Sequence, residues 1–290
     1  MLEFPSFINI PLAEWVDAGM RWLLTNFSAF FDTVGEGILG VLLNIENFLL
    51  WLPWPAVLLI IGLLGWWTMR RWWAGLLMAG MMLIIGSFGY WDLSMMTLAI
   101  IIASVILSLV LGIPLGIAMA QNKFIESVIR PVLDAMQTMP SFVYLIPALM
   151  FFGLGKVPAV FATIIYAMPP VIRLTNVGIR QVPESVIEAA KAFGANSRRI
   201  LFDVQLPLSM PSIMVGINQT TMMALAMVVI ASMIGAKGLG LEVLLAINRI
   251  EVGRGFEAGL SIVLMAIIID RITSSMAAQQ QNKLKSMVGS

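Results

Sequence analysis

The chain has 290 residues, of which 60% are hydrophobic and 11% are charged, whereas typical soluble domains have about 45–50% and about 25%. A single water-soluble core of this length cannot bury such an excess of apolar side chains, so the composition predicts a protein embedded in lipid. The net charge of +1 gives no basic field for a nucleic acid, and the absence of cysteine and histidine excludes disulfides, zinc sites built on those residues and histidine-based triads.

Residues 1–53 are predicted to form an N-terminal extension that contains an amphipathic helix. Apolar side chains recur at three- and four-residue spacing within residues 12–34, and acidic and other polar side chains occupy the opposite face. This pattern is typical of a helix that lies on the membrane or against a bundle. Residues 38–52 are also apolar but are interrupted by three polar residues, which leaves an additional membrane span there as an alternative.

Residues 54–276 are predicted to form the transmembrane domain, because seven stretches within them approach the roughly 20 apolar residues that cross a bilayer as a helix. Pro114 and Pro147 fall inside two of these stretches, where kinks are tolerated if neighbouring groups bond the freed backbone. Residues 277–290 form the predicted C-terminal tail. The predicted spans lie near Trp54–Met69, Trp73–Gly89, Met95–Met119, Val132–Leu154, Val157–Asn176, Pro211–Gly235 and Glu257–Ser274.

The distribution of basic residues predicts the orientation, since cytoplasmic loops are enriched in lysine and arginine. Placing Arg70/Arg71, Lys123/Arg130, residues 173–199 and the C-terminal tail in the cytoplasm puts 12 of the 17 basic residues on that side. With seven spans, the N-terminus then lies outside and the C-terminus lies in the cytoplasm.

The loop of residues 180–210, between the fifth and sixth predicted spans, has a helical pattern of its own. Pro183 and Glu184 suit the first turn of a helix, where proline is tolerated and a carboxylate complements the helix dipole. Gly194 is placed to end this helix. An apolar stripe between these signals consists of Val186, Ile187, Ala190 and Phe193.

A second short helix is expected after Gly194, with Asn196 or Ser197 as its N-cap. Leu206 and Pro207 are expected to stop it. Both helices are too short to cross a membrane and too apolar for a solvated loop, so they indicate a protein partner.

Three elements of this loop form one spaced motif: Glu188-Ala189-Ala190, then Gly194, then Val204-Gln205-Leu206-Pro207. The motif resembles the EAA loop of bacterial ATP-binding-cassette importer permeases, with Val204 where that family has isoleucine. The resemblance implies that the loop helix sits in a groove of the ATPase subunit and transmits its closure to the membrane helices. The coupling residues it implies are Glu184, Glu188, Ala189, Ala190, Gly194, Leu206 and Pro207.

Further segments resemble the glycine betaine/proline betaine permeases among these importers, and the similarity covers about residues 95–273. That resemblance implies the type I importer permease fold, an all-α polytopic bundle with about seven spans here, in a bacterial inner membrane. It also implies two membrane subunits, here expected to be a homodimer, with ABC ATPase subunits and an extracytoplasmic substrate-binding protein. The cargo it implies is glycine betaine or a related compatible solute. The matching segments are residues 134–147, 169–175, 218–220 and 228–234.

The sequence contains no Walker A loop, so ATP and magnesium are expected on a separate ATPase subunit and no cofactor is expected on this chain. No catalytic residue and no metal ligand is expected either. The chain is therefore predicted to be a transport component and not an enzyme.

Polar and aromatic side chains inside the spans are candidates for the translocation path, since such groups usually face a protein interior or a wet cavity. Aromatic rings attract a quaternary ammonium through cation–π interactions, although the same residues could instead pack or hydrogen-bond between helices. Arg173 could pair with Asp134 or Asp203. The path candidates are Phe142, Tyr144, Asn218, Gln219, Thr220, Thr221 and Met222.

Two alternatives stay open at this point. The same kind of importer could carry another cargo such as an amino acid, because the coupling loop contacts the ATPase and not the solute. An autonomous ion-coupled carrier is the other alternative, and it would usually show charges near mid-bilayer and inverted repeats. Neither feature is visible in the sequence.

Overall fold

The computed structural model describes residues 11–288, with side chains up to residue 281. Within this range the chain is helical and has no β-strand, which confirms the predicted all-α fold. The helices are α1 (Leu12–Trp51), α2 (Trp54–Met69), α3 (Trp72–Ser87), α4 (Trp91–Gln121), α5 (Lys123–Thr138), α6 (Leu145–Phe152), α7 (Lys156–Ala167), α8 (Pro169–Arg180), α9 (Glu184–Ala192), α10 (Ser197–Arg199), α11 (Leu206–Ala231), α12 (Leu239–Arg249) and α13 (Val252–Val288).

Five helical stretches in the described range are long and apolar enough to cross a membrane. A sixth results if the bent pair α5 and α6 is one span, and the apolar helices α2 and α3 have only 16 residues each. The five stretches are Leu12–Trp51, Trp91–Gln121, Lys156–Arg180, Ser197–Ile234 and Val252–Gln281.

We call the end of the bundle that carries residues 180–210 the loop end, and the end that carries the α6–α7 junction the opposite end.

The predicted fourth span, Val132–Leu154, is wrong as a continuous helix. The chain bends by 112° between α5 and the following helical segment, because Met139 and Pro140 both adopt extended backbone angles. A residue before proline is driven out of the α region by the proline ring. Hydrophobicity on both sides of Pro140 concealed this break in the sequence pattern.

The expectation that Leu206 and Pro207 end the second loop helix is also wrong. Residues Ser197–Ile234 form one continuous helix of 38 residues, in which Ile200–Gln205 is a π-helical turn. The wider turn moves the hydrogen bond of Leu206 N–H to the Leu201 carbonyl, five residues earlier. Pro207, which has no N–H, then falls in a first turn of α11 and the helix continues through it.

Helix α1 joins the two N-terminal segments that the sequence suggested into one helix of 40 residues, kinked at Phe27. Its second half packs in the main apolar core, where Leu42 is fully buried. Phe31 stacks on Phe151 of α6, with ring centroids 4.1 Å apart. A buried ion pair joins Lys156 Nζ to both carboxylate oxygens of Glu46, at 2.6 and 2.7 Å. The division of residues 1–53 from the transmembrane domain stays a prediction, and residues 1–10 lie outside the described residues.

Helix α8 packs closely between α4 and α11, and glycines lie at both contacts. A Cβ atom at Gly116 of α4 would lie 2.7 Å from the carbonyl oxygen of Ile172, and one at Gly216 of α11 would lie 3.1 Å from Cα of Val171. Small residues permit such backbone contacts between membrane helices. The position of α8 is therefore set by contacts with both neighbours along its length.

We expect Gly116→Ala to lower stability by about 1–3 kcal/mol, the usual range for overpacking a well-packed core, because the new methyl group meets a backbone carbonyl. Gly80→Ala is the matched control, since a Cβ at Gly80 has no neighbour within 4 Å and alanine favours the helix. Thermal unfolding of the two purified variants in detergent measures the difference. Equal midpoints for both would contradict the packing argument.

Candidate functional site

The loop of residues 180–210 exposes a short helix that contacts little of the rest of the chain. Helix α9 has no buried residue, and Phe193 at its end is 94% exposed. Gly194 adopts φ +81°, its N–H donates to the Lys191 carbonyl, and the N–H of Ala195 donates to the Ala190 carbonyl. These two bonds form a Schellman motif, which confirms Gly194 as the end of the helix.

The next helix begins with a side-chain cap. Oδ1 of Asn196 accepts a hydrogen bond from the N–H of Arg199 at 2.9 Å, so Asn196 is the N-cap and Ser197 is the first helical residue. Local sequence rules thus predicted both the break and the restart of the chain correctly.

The predicted coupling residues lie on the exposed side of this segment. Glu184, Glu188, Ala189 and Gly194 are exposed, whereas Ala190 is half-buried. Leu206 and Pro207 lie on the same connected segment, where Leu206 is half-buried and Pro207 is exposed. Their role in coupling stays a prediction.

Arg180, the last residue of α8, fixes the start of the loop to two other helices. Its guanidinium lies 2.6 Å from Oε2 of Glu126 on α5 and donates to the Met119 carbonyl near the end of α4 at 2.9 Å. Asn176 accepts from Arg180 Nε at 2.9 Å and donates to Glu126 at 3.3 Å. Glu126 also pairs with Arg130 on its own helix. We call Glu126, Asn176 and Arg180 the loop anchor.

A second ion pair joins the same two helices. Arg173 of α8 pairs with Asp134 of α5, which confirms one of the two partners that the sequence suggested. Charge-assisted hydrogen bonds of this kind are stronger than neutral ones. Both arginines of α8 therefore pair with α5, Arg180 with its first turn and Arg173 with its second half.

The aromatic path candidates lie in two different environments. Tyr144 is buried, its O–H donates to the Met136 carbonyl, and its ring lies 6.1 Å from that of Tyr166. Phe142 is 53% exposed. The structure does not bring Phe142 and Tyr144 together into one aromatic cage.

The path candidates of α11 divide between two faces of the helix. Thr220 and Thr221 are buried, and Thr221 donates to the backbone carbonyl of Ile217, as expected for packing groups. Gln219 and Met222 are exposed, three residues apart on one face.

Asn218 accepts a hydrogen bond from Thr273 of α13. It also lines a cavity of about 320 Å³ between α11 and α13, together with Ser212, Ser274 and Gln281. Of the path candidates on α11, Gln219 and Met222 are thus exposed on one face and Asn218 lines this cavity, and the role of all five in transport stays a prediction.

Sequence reasoning missed the loop anchor. Asn176 and Arg180 are four residues apart, as are Glu126 and Arg130, so each pair shares a helix face in the sequence. Nothing local shows that these faces meet, because Glu126 and Asn176 are 50 residues apart.

The opposite end of the bundle carries its own charged cluster. Arg254 lies 2.6 Å from Glu242 and 3.3 Å from Glu251. Tyr90 lies beside it, and burial raises the pKa of this phenol, with the Glu242 and Glu257 carboxylates raising it further.

The family described as the binding-protein-dependent transport system inner membrane component matches residues 112–286. That range includes α5 to α12, the loop anchor and the exposed helix α9. The chain belongs to this family.

Three similar proteins extend the family assignment over nearly the whole chain. The glycine betaine transport system permease protein OpuAB of Bacillus subtilis is 44% identical over 95% of this chain and 97% of its own length. The glycine betaine/proline betaine transport system permease protein ProW of Escherichia coli is also 44% identical, over 94% and 77%. The trimethylamine N-oxide transport system permease protein TmoV of Ruegeria pomeroyi is 33% identical over 94% and 43%.

A solved structure supports the fold of this family member. An inward-facing conformation of the MetNI methionine ABC transporter contains a chain that matches with a TM-score of 0.57 and 19% identity, over 64% of this chain and 93% of that one. The predicted importer-permease fold is thereby confirmed.

The loop anchor predicts how the loop responds when one group is removed. We expect Glu126→Gln to release the Arg180 side chain and so to expose the start of the loop. The rate of trypsin cleavage after Arg180 in the purified protein should then rise severalfold. Glu184→Gln is the matched control, since Glu184 is exposed and its carboxylate forms no salt bridge in the described part of the chain. Equal cleavage of both variants would show that Glu126 does not hold the loop.

Proposed function

We propose that this chain is the transmembrane permease subunit of an ATP-driven, binding-protein-dependent importer of glycine betaine or related quaternary ammonium compatible solutes. The observation that carries the cargo is the 44% identity, over 95% of the chain, to a permease named for glycine betaine. Two further relatives carry glycine betaine in their names at similar identity.

Helix α9 is the proposed contact with the ATPase subunit. Its exposed apolar side chains Val186 and Phe193, 38% and 94% exposed, require a partner surface to leave water. Glu188 is the proposed polar contact, and the small residues Ala189 and Ala190 allow close approach. Gly194 then turns the chain sharply at the end of α9, which leaves the helix exposed to the ATPase subunit.

The partner subunit, and not this chain, is proposed to bind ATP and magnesium. Closure of two ATPase subunits would move α9 in each of two permease subunits, for which a homodimer of this chain is proposed. The loop anchor would pass that movement to α4 and α5.

The opposite end of the bundle is the proposed docking side for an extracytoplasmic binding protein. Ile250, Val252 and Phe256 are exposed there, at 84%, 80% and 71%, beside the cluster around Arg254. In the same proposal the loop end and the C-terminus lie in the cytoplasm. The N-terminus is proposed to lie outside.

Gln219 and Met222 are the proposed path residues on α11. An amide and a thioether bind a cationic trimethylammonium group weakly, and weak contacts permit release during transport. Phe142, which is exposed, is the proposed aromatic contact. Thr220 and Thr221 are proposed to pack between helices.

Trimethylamine N-oxide is a second candidate cargo, supported by a relative named for its transport that is 33% identical over 94% of this chain. The two solutes share a trimethylated nitrogen but differ in the group attached to it. Cation–π contacts would accept both, so the path residues do not separate them.

The test is uptake of labelled glycine betaine into proteoliposomes that hold this chain with its ATPase and binding protein, with and without ATP at the loop end. Uptake that requires ATP supports the importer and its cargo. Preference for trimethylamine N-oxide in competition would replace the cargo and keep the importer. Uptake by this chain alone, without ATP, would overturn the importer in favour of a carrier.

The coupling role predicts the effect of charge reversal on α9. We expect Glu188→Arg to reduce ATP-driven uptake by about tenfold or more, which corresponds to at least about 1.4 kcal/mol lost at the contact. Glu14→Arg is the matched control. Glu14 is exposed, lies near the start of α1 and is far from Glu188 in the sequence. Unchanged uptake and ATPase association in Glu188→Arg would refute the assignment.

A further inference from the structure

An apolar groove runs between α2 and α3 on the surface of the bundle. Gly62 and Gly75 bring these helices so close that a Cβ at Gly75 would lie 2.2 Å from the Gly62 carbonyl oxygen. With Ala79 they form a shallow floor, and Leu59 and Leu76 form the walls. The groove has a volume of about 460 Å³, and its lining is suited to a hydrocarbon chain.

The groove continues into a second, more polar cavity at the loop end. Leu63 and Trp66 line both cavities, and the second one, of about 520 Å³, is also lined by Trp67, Arg70 and Gln279. Gln279 of α13 donates to the backbone carbonyl of Thr68 in the last turn of α2. This bond holds the end of α13 against α2 and closes one side of the cavity.

Arg70 brings a positive charge to this cavity at a strained backbone position. It is exposed and adopts φ +53°, which is uncommon for a residue other than glycine. Among the described residues, no carboxylate forms a salt bridge with Arg70 or with Arg71, and Arg71 lies over the ring of Trp73 at 5.7 Å. A guanidinium in this setting is suited to a phosphate group.

We propose that this surface binds one anionic phospholipid, with an acyl chain in the α2–α3 groove and its phosphate on Arg70. Tryptophans are enriched at the headgroup level of membranes, and basic pockets beside membrane helices bind anionic headgroups. A free phosphate would use the charge but not the groove, whereas a neutral lipid would use the groove but not the charge. The combination of both features selects the anionic lipid, and it depends on neither the cargo nor the ATPase.

Arg70→Asn is the variant that separates charge from backbone shape, because asparagine tolerates positive φ better than most residues. Lys123→Asn is the matched control, since Lys123 is an exposed cation at the loop end that lines neither cavity. Each full-length chain is placed in nanodiscs of equal parts phosphatidylcholine and phosphatidylglycerol. Native mass spectrometry then counts the lipids that each chain retains.

We expect the unchanged chain and Lys123→Asn to retain one phosphatidylglycerol in preference to phosphatidylcholine. Arg70→Asn should lose this preference by about fivefold, the effect of one basic side chain near an anionic headgroup. An unchanged preference in Arg70→Asn, or an equal loss in Lys123→Asn, overturns the proposal. Displacement of the lipid by millimolar inorganic phosphate also overturns it, in favour of a free-anion site.

Discussion

The close approach of α8 to α4 and α11 is the contact on which the arrangement of the bundle depends. Gly116 and Gly216 face α8 from its two sides; a Cβ at Gly116 would overlap α8, and one at Gly216 would make a tight contact with it. Without a hydrophobic driving force between helices in lipid, such close backbone packing supplies much of the association energy. Because α8 ends at the first residue of the exposed loop, this packing also decides where the loop begins.

Ion pairs then fix the position of α8 along its own axis. Close packing at glycine alone would restrict sliding along that axis less strongly. Arg173 and Arg180 of α8 pair with Asp134 and Glu126 of α5, and Arg180 also bonds to the end of α4. A helix that is packed on two sides and bonded at its end moves as a unit with its partners. In the proposed coupling, a movement of α9 would reach α5 through Arg180 and its bond to Glu126.

Local rules predicted the parts of this site that depend on neighbouring residues, and they failed where distant segments meet. Gly194 and Asn196 act within one turn of their own helices, so their roles were readable in the sequence. Glu126 and Arg180 meet only because α5 and α8 pack together, which no periodicity reports. The bend at Met139 and Pro140 was readable in principle, but the apolar residues on both sides favoured a continuous span.

The π-helical turn at Ile200–Gln205 explains how a proline-containing motif can begin a membrane helix. A proline at position 207 offers no N–H to the carbonyl four residues earlier, so it would weaken or kink an α-helix that continued unchanged from Ser197. The extra residue of the π turn shifts the hydrogen-bond register, so the helix runs on for 38 residues, about 57 Å at 1.5 Å per residue. At the far end, the Ile234 carbonyl accepts from Gly155 N–H at the α6–α7 junction. One continuous helix thus joins the exposed loop to the opposite end of the bundle. Its π-helical turn lies where the helix leaves the loop, and π turns inside helices are frequently found at functional sites.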